Sequence, residues 1–267
     1  MTRSLLVAAV LSAVAAAPPQ QTPLTIGETF TIDSGVLTEK RRINVYAPPA
    51  YAAAADVRLP VLYMPDGGMQ EDFLHVAGLV QVLVGNGTMR PFLLVGIENT
   101  ERRRDMTGPT SIAEDRKIAP RVGGSEPFRR FIREELMPAV KRRYRTTDET
   151  AVVGESLAGL FVVETLLADP ALFDTYIAFD PSLWWNDGGL IARASRQLTA
   201  LPGVNKRLYL ATSSEPRIAG LTERFAGILA QRAPRGLTWQ YENMPEETHA
   251  TLYHPAALRA FRVLFKP

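Results

Sequence analysis

The sequence predicts an α/β fold, a mostly parallel central sheet with helices on both faces. Three features carry the prediction. From residue 60 onward, short β-prone apolar runs alternate with longer segments of helical character, the order that gives parallel strands joined by crossover helices. Those runs are apolar throughout, as strands buried on both faces must be. No repeat, low-complexity tract or Pro/Gly/Ser-rich linker interrupts the chain after residue 23, so one domain is expected over residues 24–267.

The elements follow in order. Two hairpin-like strands come first, at 28–33 and 42–46, with Ser34-Gly35 as turn chemistry between them and Pro48-Pro49 stopping the second. Further strands are predicted at 60–64, 92–97, 150–153, 175–179, 207–212 and 237–241. Helices are predicted at 73–84, from Ser125 to the basic run at 141–145, from Leu157, and at 190–201, 218–233 and 255–265. Phe128, Phe131, Ile132 and Val140 give the Ser125 helix an apolar side, and Pro138 predicts a bend within it.

Composition narrows the function. The chain has 267 residues and 46% hydrophobic content, enough for a large core, and 30 Lys+Arg nearly balance 28 Asp+Glu. Such a balance gives no argument for a nucleic-acid partner. Zero cysteines exclude disulfides, thiol catalysis and thiolate metal sites. No metal cluster or phosphate loop is visible, so no cofactor is expected. Residues 1–17 read as a signal peptide. Arg3 is the positive start, 5–14 an apolar stretch too short for a membrane span, and Ala15-Ala16-Ala17 a small-residue cleavage site. A secreted or periplasmic protein without stable membrane insertion is therefore expected.

In a parallel sheet, reactive groups gather where strands end. The strand at 150–153 leads into Gly154-Glu155-Ser156-Leu157-Ala158 and then a helix. Strand, turn with Ser, then helix is the setting of a nucleophile elbow, which needs small residues two before and two after the serine. A helix N-cap serine is the competing reading. A serine hydroxyl needs a neighbouring base. Of the three histidines, His249 lies in a loop after the last strand, and His254 opens the final helix as the reserve. The base needs an orienting carboxylate. Glu215, just past the 207–212 strand, is preferred to Asp180, which ends the strand before it. Ser, acid, His is the chain order of the α/β-hydrolase triad. An oxyanion hole would come from the N–H of Leu157 and that of Gly68 or Met69. Trp184 and Trp185 are read as walls of an acyl or aryl pocket. Arg102 to Arg104, with Arg104 named for substrate binding, are read either as a contact for an anionic substrate or as a solvated loop.

The chain resembles the Putative esterase family of α/β-hydrolases, which includes siderophore esterases, feruloyl esterases and mycolyltransferases. The resemblance is carried by LPVLYMPDGG (59–68), VGIENTERRRDMT (95–107), FIREELMPAVKRRYRT (131–146), VVGESLAG (152–159), FDPSLWWND (179–187), RLYLATSSE (207–215) and ETHATLYHPAALRAF (247–261). It implies an α/β-hydrolase fold and a serine esterase acting on small-molecule esters through an acyl-enzyme, siderophore or aryl esters among them. The family usually has Gly-His-Ser-x-Gly-Gly at the elbow; here Glu155 precedes the serine and Ala158 replaces a Gly. An acyltransferase on the same fold, or a binding protein that keeps the fold without catalysis, are the alternatives.

Overall fold

The structure is a computed structural model that describes residues 21–201 and 203–267. The segment read as a signal peptide lies outside the described residues. The chain opens with β1 (Glu28–Ser34) and β2 (Glu39–Tyr46), then α1 (Pro49–Ala53), β3 (Leu59–Pro65), α2 (Phe73–Gly85) and β4 (Leu93–Ile97). Two short helices, α3 (Arg102–Met106) and α4 (Ala113–Lys117), precede α5 (Ser125–Phe131). Residues Ile132–Leu136 form a π-helical stretch leading into α6 (Met137–Arg143). Next come β5 (Thr146–Glu155), α7 (Leu157–Ala168), β6 (Thr175–Phe179), α8 (Trp185–Ala200), β7 (Lys206–Thr212), α9 (Pro216–Arg232), β8 (Leu237–Asn243) and α10 (Tyr253–Leu264).

All eight strands join one sheet in the order β1-β2-β4-β3-β5-β6-β7-β8. Pairings of β1 with β2 and of β2 with β4 are antiparallel. Every later pairing is parallel. Each of the eight predicted strands is present, within a few residues at its ends. The bend expected at Pro138 appears as the π-helical turn just before it. Proline has no N–H to give to the preceding turn, and the wider register absorbs that loss.

Strands β3, β4 and β6 are buried at every position, because helices cover both faces. One face packs Val61, Tyr63, Val95, Val152 and Leu210 against Phe128, Phe131, Leu160 and Phe225 of α5, α7 and α9. The opposite face packs Leu62, Met64, Val153, Ile177 and Tyr209 against Val76, Val80, Ala257 and Phe261 of α2 and α10. Alternate residues of each strand supply the two faces. The carboxyl ends of β3, β5, β6 and β7 therefore emerge side by side at one rim.

Candidate active site

At that rim the chain makes its tightest turn. Ser156 follows β5 with φ 58° and ψ −117°, backbone that a non-glycine residue holds only under constraint. The constraint is visible. Ser156 N–H donates to Phe179 O at 3.0 Å, and Ser156 O accepts from Leu160 N–H and Ser182 N–H at 2.9 Å each. A Cβ on Gly154 would lie 2.6 Å from Ala158 Cβ, and one on Gly159 would lie 2.9 Å from Phe179 O. The small residues at 154, 158 and 159 thus let β5, α7 and the end of β6 close around the serine.

The hydroxyl so presented has two neighbours. His249 Nε2 stands 3.2 Å from Ser156 Oγ, and Ser182 Oγ stands 3.3 Å away. On its other side His249 Nδ1 is 2.9 Å from Asp180 Oδ2. Asp180 is fully buried at the end of β6. Ser213 N–H donates to its Oδ1 at 2.8 Å, and Ser213 Oγ donates to its Oδ2 at 2.5 Å. The loop bearing His249 is fixed to β7 by Met244 N–H donating to Thr212 O at 2.8 Å and Ser214 N–H donating to Glu247 O at 2.9 Å.

The expectation that Glu215 orients His249 is corrected by this geometry. Glu215 is exposed and sits at the N-cap of α9, its backbone carbonyl accepting from Ala219 N–H at 2.9 Å. It lies far enough past β7 that its side chain turns outward, whereas Asp180 ends the neighbouring strand facing the histidine. His254, the reserve base, is exposed and packs near His75 at 5.6 Å between ring centroids.

The expected oxyanion donors separate. Leu157 opens α7, where the first N–H groups have no intrahelical acceptor. Gly68 N–H is engaged, donating to Glu71 Oε2 at 2.6 Å, which corrects its place among the donors. Met69 remains, exposed at the same loop. That loop is pressed onto β4, since a Cβ on Gly67 would lie 2.2 Å from Gly96 Cα.

The tryptophans also separate. Trp185 is buried, with Nε1 donating to Gly108 O at 2.8 Å, so its ring is core rather than pocket wall. Trp184 lies under the guanidinium of Arg217, 5.4 Å from its ring centroid, in a recess between α8 and α9. Arg104 is corrected as a substrate contact. Its guanidinium is occupied by Asp105 at 2.7 Å and by Glu39 at 2.7 and 3.0 Å. Behind it the wholly buried Arg41 pairs with Asp105 and, at 2.7 Å, with Glu39. Arg102 donates twice to Asp66, at 2.7 and 2.8 Å. Arg103 has no side-chain partner among the described residues. It lines an open groove of about 630 Å³ with Arg102, Ile118 and Arg121.

The electrostatics follow from these contacts. The hydrogen bond that His249 donates to Asp180 raises the pKa of the imidazole above its ordinary 6.5; burial opposes this, and the charges of Glu155 and Asp180 add to it. Burial pushes the Glu155 carboxyl, next to the serine, up to about 8. Among the described residues no group of His, Cys, Asp and Glu is arranged to hold a metal ion. Sequence reasoning placed Ser182 and Ser213 at strand ends but gave them no role, and it missed Glu71. All three act through short contacts within the rim, which no periodicity or spacing reveals.

A hydroxyl on a strained strand-to-helix turn, with an imidazole and a buried carboxylate in line, is the arrangement that serine hydrolases on an α/β-hydrolase fold use. Comparison with known proteins narrows the class. The family model described as "Putative esterase" matches residues 34–250, and the chain belongs to that family of carboxylic ester hydrolases. It is 25% identical over 256 residues to the ferri-bacillibactin esterase BesA of Bacillus subtilis, covering 86% of each chain. It is 38% identical over 143 residues to the siderophore triacetylfusarinine C esterase of Aspergillus fumigatus, covering 48% of this chain and 46% of that one. Among solved structures, an IroE-like serine hydrolase from Shewanella oneidensis superposes with TM-score 0.82 at 30% identity, over 90% of this chain and 80% of the other.

Proposed function

We propose that the protein hydrolyses siderophore esters through an acyl-enzyme formed on Ser156, with His249 as base and Asp180 as its orienting acid. The observation that carries the reading is the continuous line from Ser156 Oγ to His249 Nε2 at 3.2 Å and from His249 Nδ1 to Asp180 Oδ2 at 2.9 Å. Ser156 Oγ attacks the ester carbonyl carbon while its proton passes to His249 Nε2. The carbonyl oxygen becomes an oxyanion before the N–H groups of Leu157 and Met69. On collapse, the bond to the alcohol breaks and His249 returns the proton to that oxygen. Water then repeats the sequence on the acyl-enzyme, releasing the acid and restoring Ser156.

Two things support a siderophore substrate. The relatives named above are a ferri-bacillibactin esterase and a triacetylfusarinine C esterase. The open groove along α3 carries the guanidinium of Arg103, which has no side-chain partner among the described residues, suited to an anionic ligand. Residues 1–17 act in this reading as an export signal, so that the mature protein works outside the cytoplasm. Mass spectrometry of exported protein is expected to find the N-terminus after about residue 17, and an intact Met1 would count against it.

The test is a hydrolysis screen of bacillibactin, triacetylfusarinine C and enterobactin beside p-nitrophenyl esters, run on the protein and on Ser156→Ala. Cleavage of a siderophore ester, lost by several orders of magnitude in the variant along with fluorophosphonate labelling, is expected. Near-normal turnover in Ser156→Ala would end the proposed mechanism. Hydrolysis of simple esters alone would end the substrate assignment.

A further inference from the structure

The residue before the nucleophile holds a group that the hydrolytic steps do not use. Glu155 ends β5 as a half-buried side chain, and its Oε1 is shut off from solvent with no hydrogen-bond partner among the described residues. No Lys or Arg side chain forms an ion pair with it among those residues. The guanidinium of Arg102, whose charge interacts with it, spends two N–H groups on Asp66. The groups facing it are mostly acidic or neutral. Asp66 and Asp72 approach from the β3–α2 loop, Asp180 from β6, His249 from the loop after β8, and Tyr253 from α10. The Tyr253 hydroxyl is itself buried without a partner. Beyond it lie His75, which pairs with Asp72 at 3.3 Å, and His254.

A carboxylate with one oxygen buried away from any donor, and with no cation paired to it, is costly, and such a group holds a proton more tightly. We propose that Glu155 works as a neutral carboxylic acid beside the nucleophile, and that its loss of a proton sets the alkaline limit of turnover. The inference rests on Ser156 acting as the nucleophile. Its direction follows from the charges already present. An ionised Glu155, like Asp180 at 2.9 Å, would also favour the imidazolium of His249, so the deciding effect is the one on the oxyanion. The oxyanion has only neutral N–H donors, and a carboxylate next to Ser156 opposes the charge that develops on it. Burial, the chief cause, puts the ionisation at about 8, with the charge of His249 opposing and those of Asp72, Asp180 and Asp66 reinforcing. Tyr253 remains neutral throughout this range, because burial raises it well above its ordinary value.

The test compares kcat/KM for an uncharged ethyl ester across pH in the wild type and in Glu155→Gln, each profile scaled to its own value at about pH 7. Above the acid limb set by His249, the wild type is expected to fall toward about pH 9, approaching about tenfold per pH unit beyond an ionisation at about 8. Glu155→Gln, which cannot ionise, is expected to rise through the His249 limb and then hold level. The same falling limb in both proteins, or no falling limb in the wild type, overturns the proposal. A second measurement is independent of turnover. Infrared spectra of Ser156→Ala should show the carbonyl stretch of a buried carboxylic acid that disappears with a midpoint near pH 8 and is missing when Glu155→Gln is added. Absence of that band at neutral pH also overturns it. Turnover surviving in Ser156→Ala would instead remove the mechanism on which the inference stands, a separate outcome.

Discussion

Two carboxylates at the ends of adjacent strands differ in what surrounds them. Asp180, itself fully buried, receives two hydrogen bonds from Ser213 and one from the part-exposed His249. Glu215 faces solvent and reaches His249 only through a weak field, the last among the causes acting on that ring. Asp180→Asn is therefore expected to lower kcat by about 10³- to 10⁴-fold, because an amide favours the wrong tautomer of the imidazole. Glu215→Gln should change it less than about threefold, in keeping with a distant exposed charge. The reverse ranking would return the acid to the start of α9. The pH dependence has a definite sign. His249 must be neutral to accept the serine proton, and Asp180 raises its pKa, so kcat/KM should be lost on the acid side with a midpoint above the ordinary 6.5. Removing the Asp180 charge should move the residual acid limb downward. The sequence made the serine and the histidine legible, since the elbow has a local pattern and the chain offers only three histidines. It hid the acid, because Asp180-Pro181 also reads as a simple turn and only the partner Ser213, 33 residues on, distinguishes it.

The elbow and the oxyanion loop depend on backbones that nearly touch. Adding a methyl at Gly154 would place it 2.6 Å from the Ala158 Cβ and 2.8 Å from the Ala158 carbonyl carbon. Gly154→Ala should therefore cost about 1–3 kcal/mol, measured by denaturant unfolding, and lower kcat as the serine shifts. A buried ion cluster holds the five-residue α3 against β2. Asp105, with no exposure, accepts from both Arg41 and Arg104, and Arg41 also lies over Phe128 and Phe131. Asp105→Asn should cost about 3–5 kcal/mol, because it leaves the buried Arg41 charge without its main partner. Long elements were legible by their period. Helices α1, α3 and α4, five residues each, were not, since one turn and a half carries too few residues to show a period. The start of α8 is another case. Asn186, Asp187 and Gly188 all take positive φ, and the regular helix begins near Leu190 as the apolar pattern predicts. What holds that left-handed turn is remote in sequence: Asp115 accepts from Asn186 N–H at 2.9 Å.

Across the whole molecule, the parallel sheet brings residues 66–69, 99–102, 155–156, 180 and 249 to one rim, and the alternation of elements made that gathering predictable. Charges on the antiparallel side tie the sheet to its covering helices. Burial alone would raise the Glu39 carboxyl, yet hydrogen bonds from Arg104 and Thr100 and the charges of Arg41 and Arg104 bring it from 4.5 down to about 2. A depressed carboxylate contributes stability that is complete above its unfolded pKa and is lost as pH falls through the folded one. Unfolding free energy should thus decline between about pH 4.5 and about pH 2, and Glu39→Gln should flatten that decline in a series of denaturant curves. The order of the active groups along the chain has a consequence for biosynthesis. The proposed nucleophile and acid lie only 24 residues apart, while the proposed base comes 69 residues after the acid. A growing polypeptide can hold the serine and Asp180 well before it holds a proton acceptor for them. In the proposed mechanism, hydrolytic competence is then withheld from every nascent chain that has not yet reached residue 249.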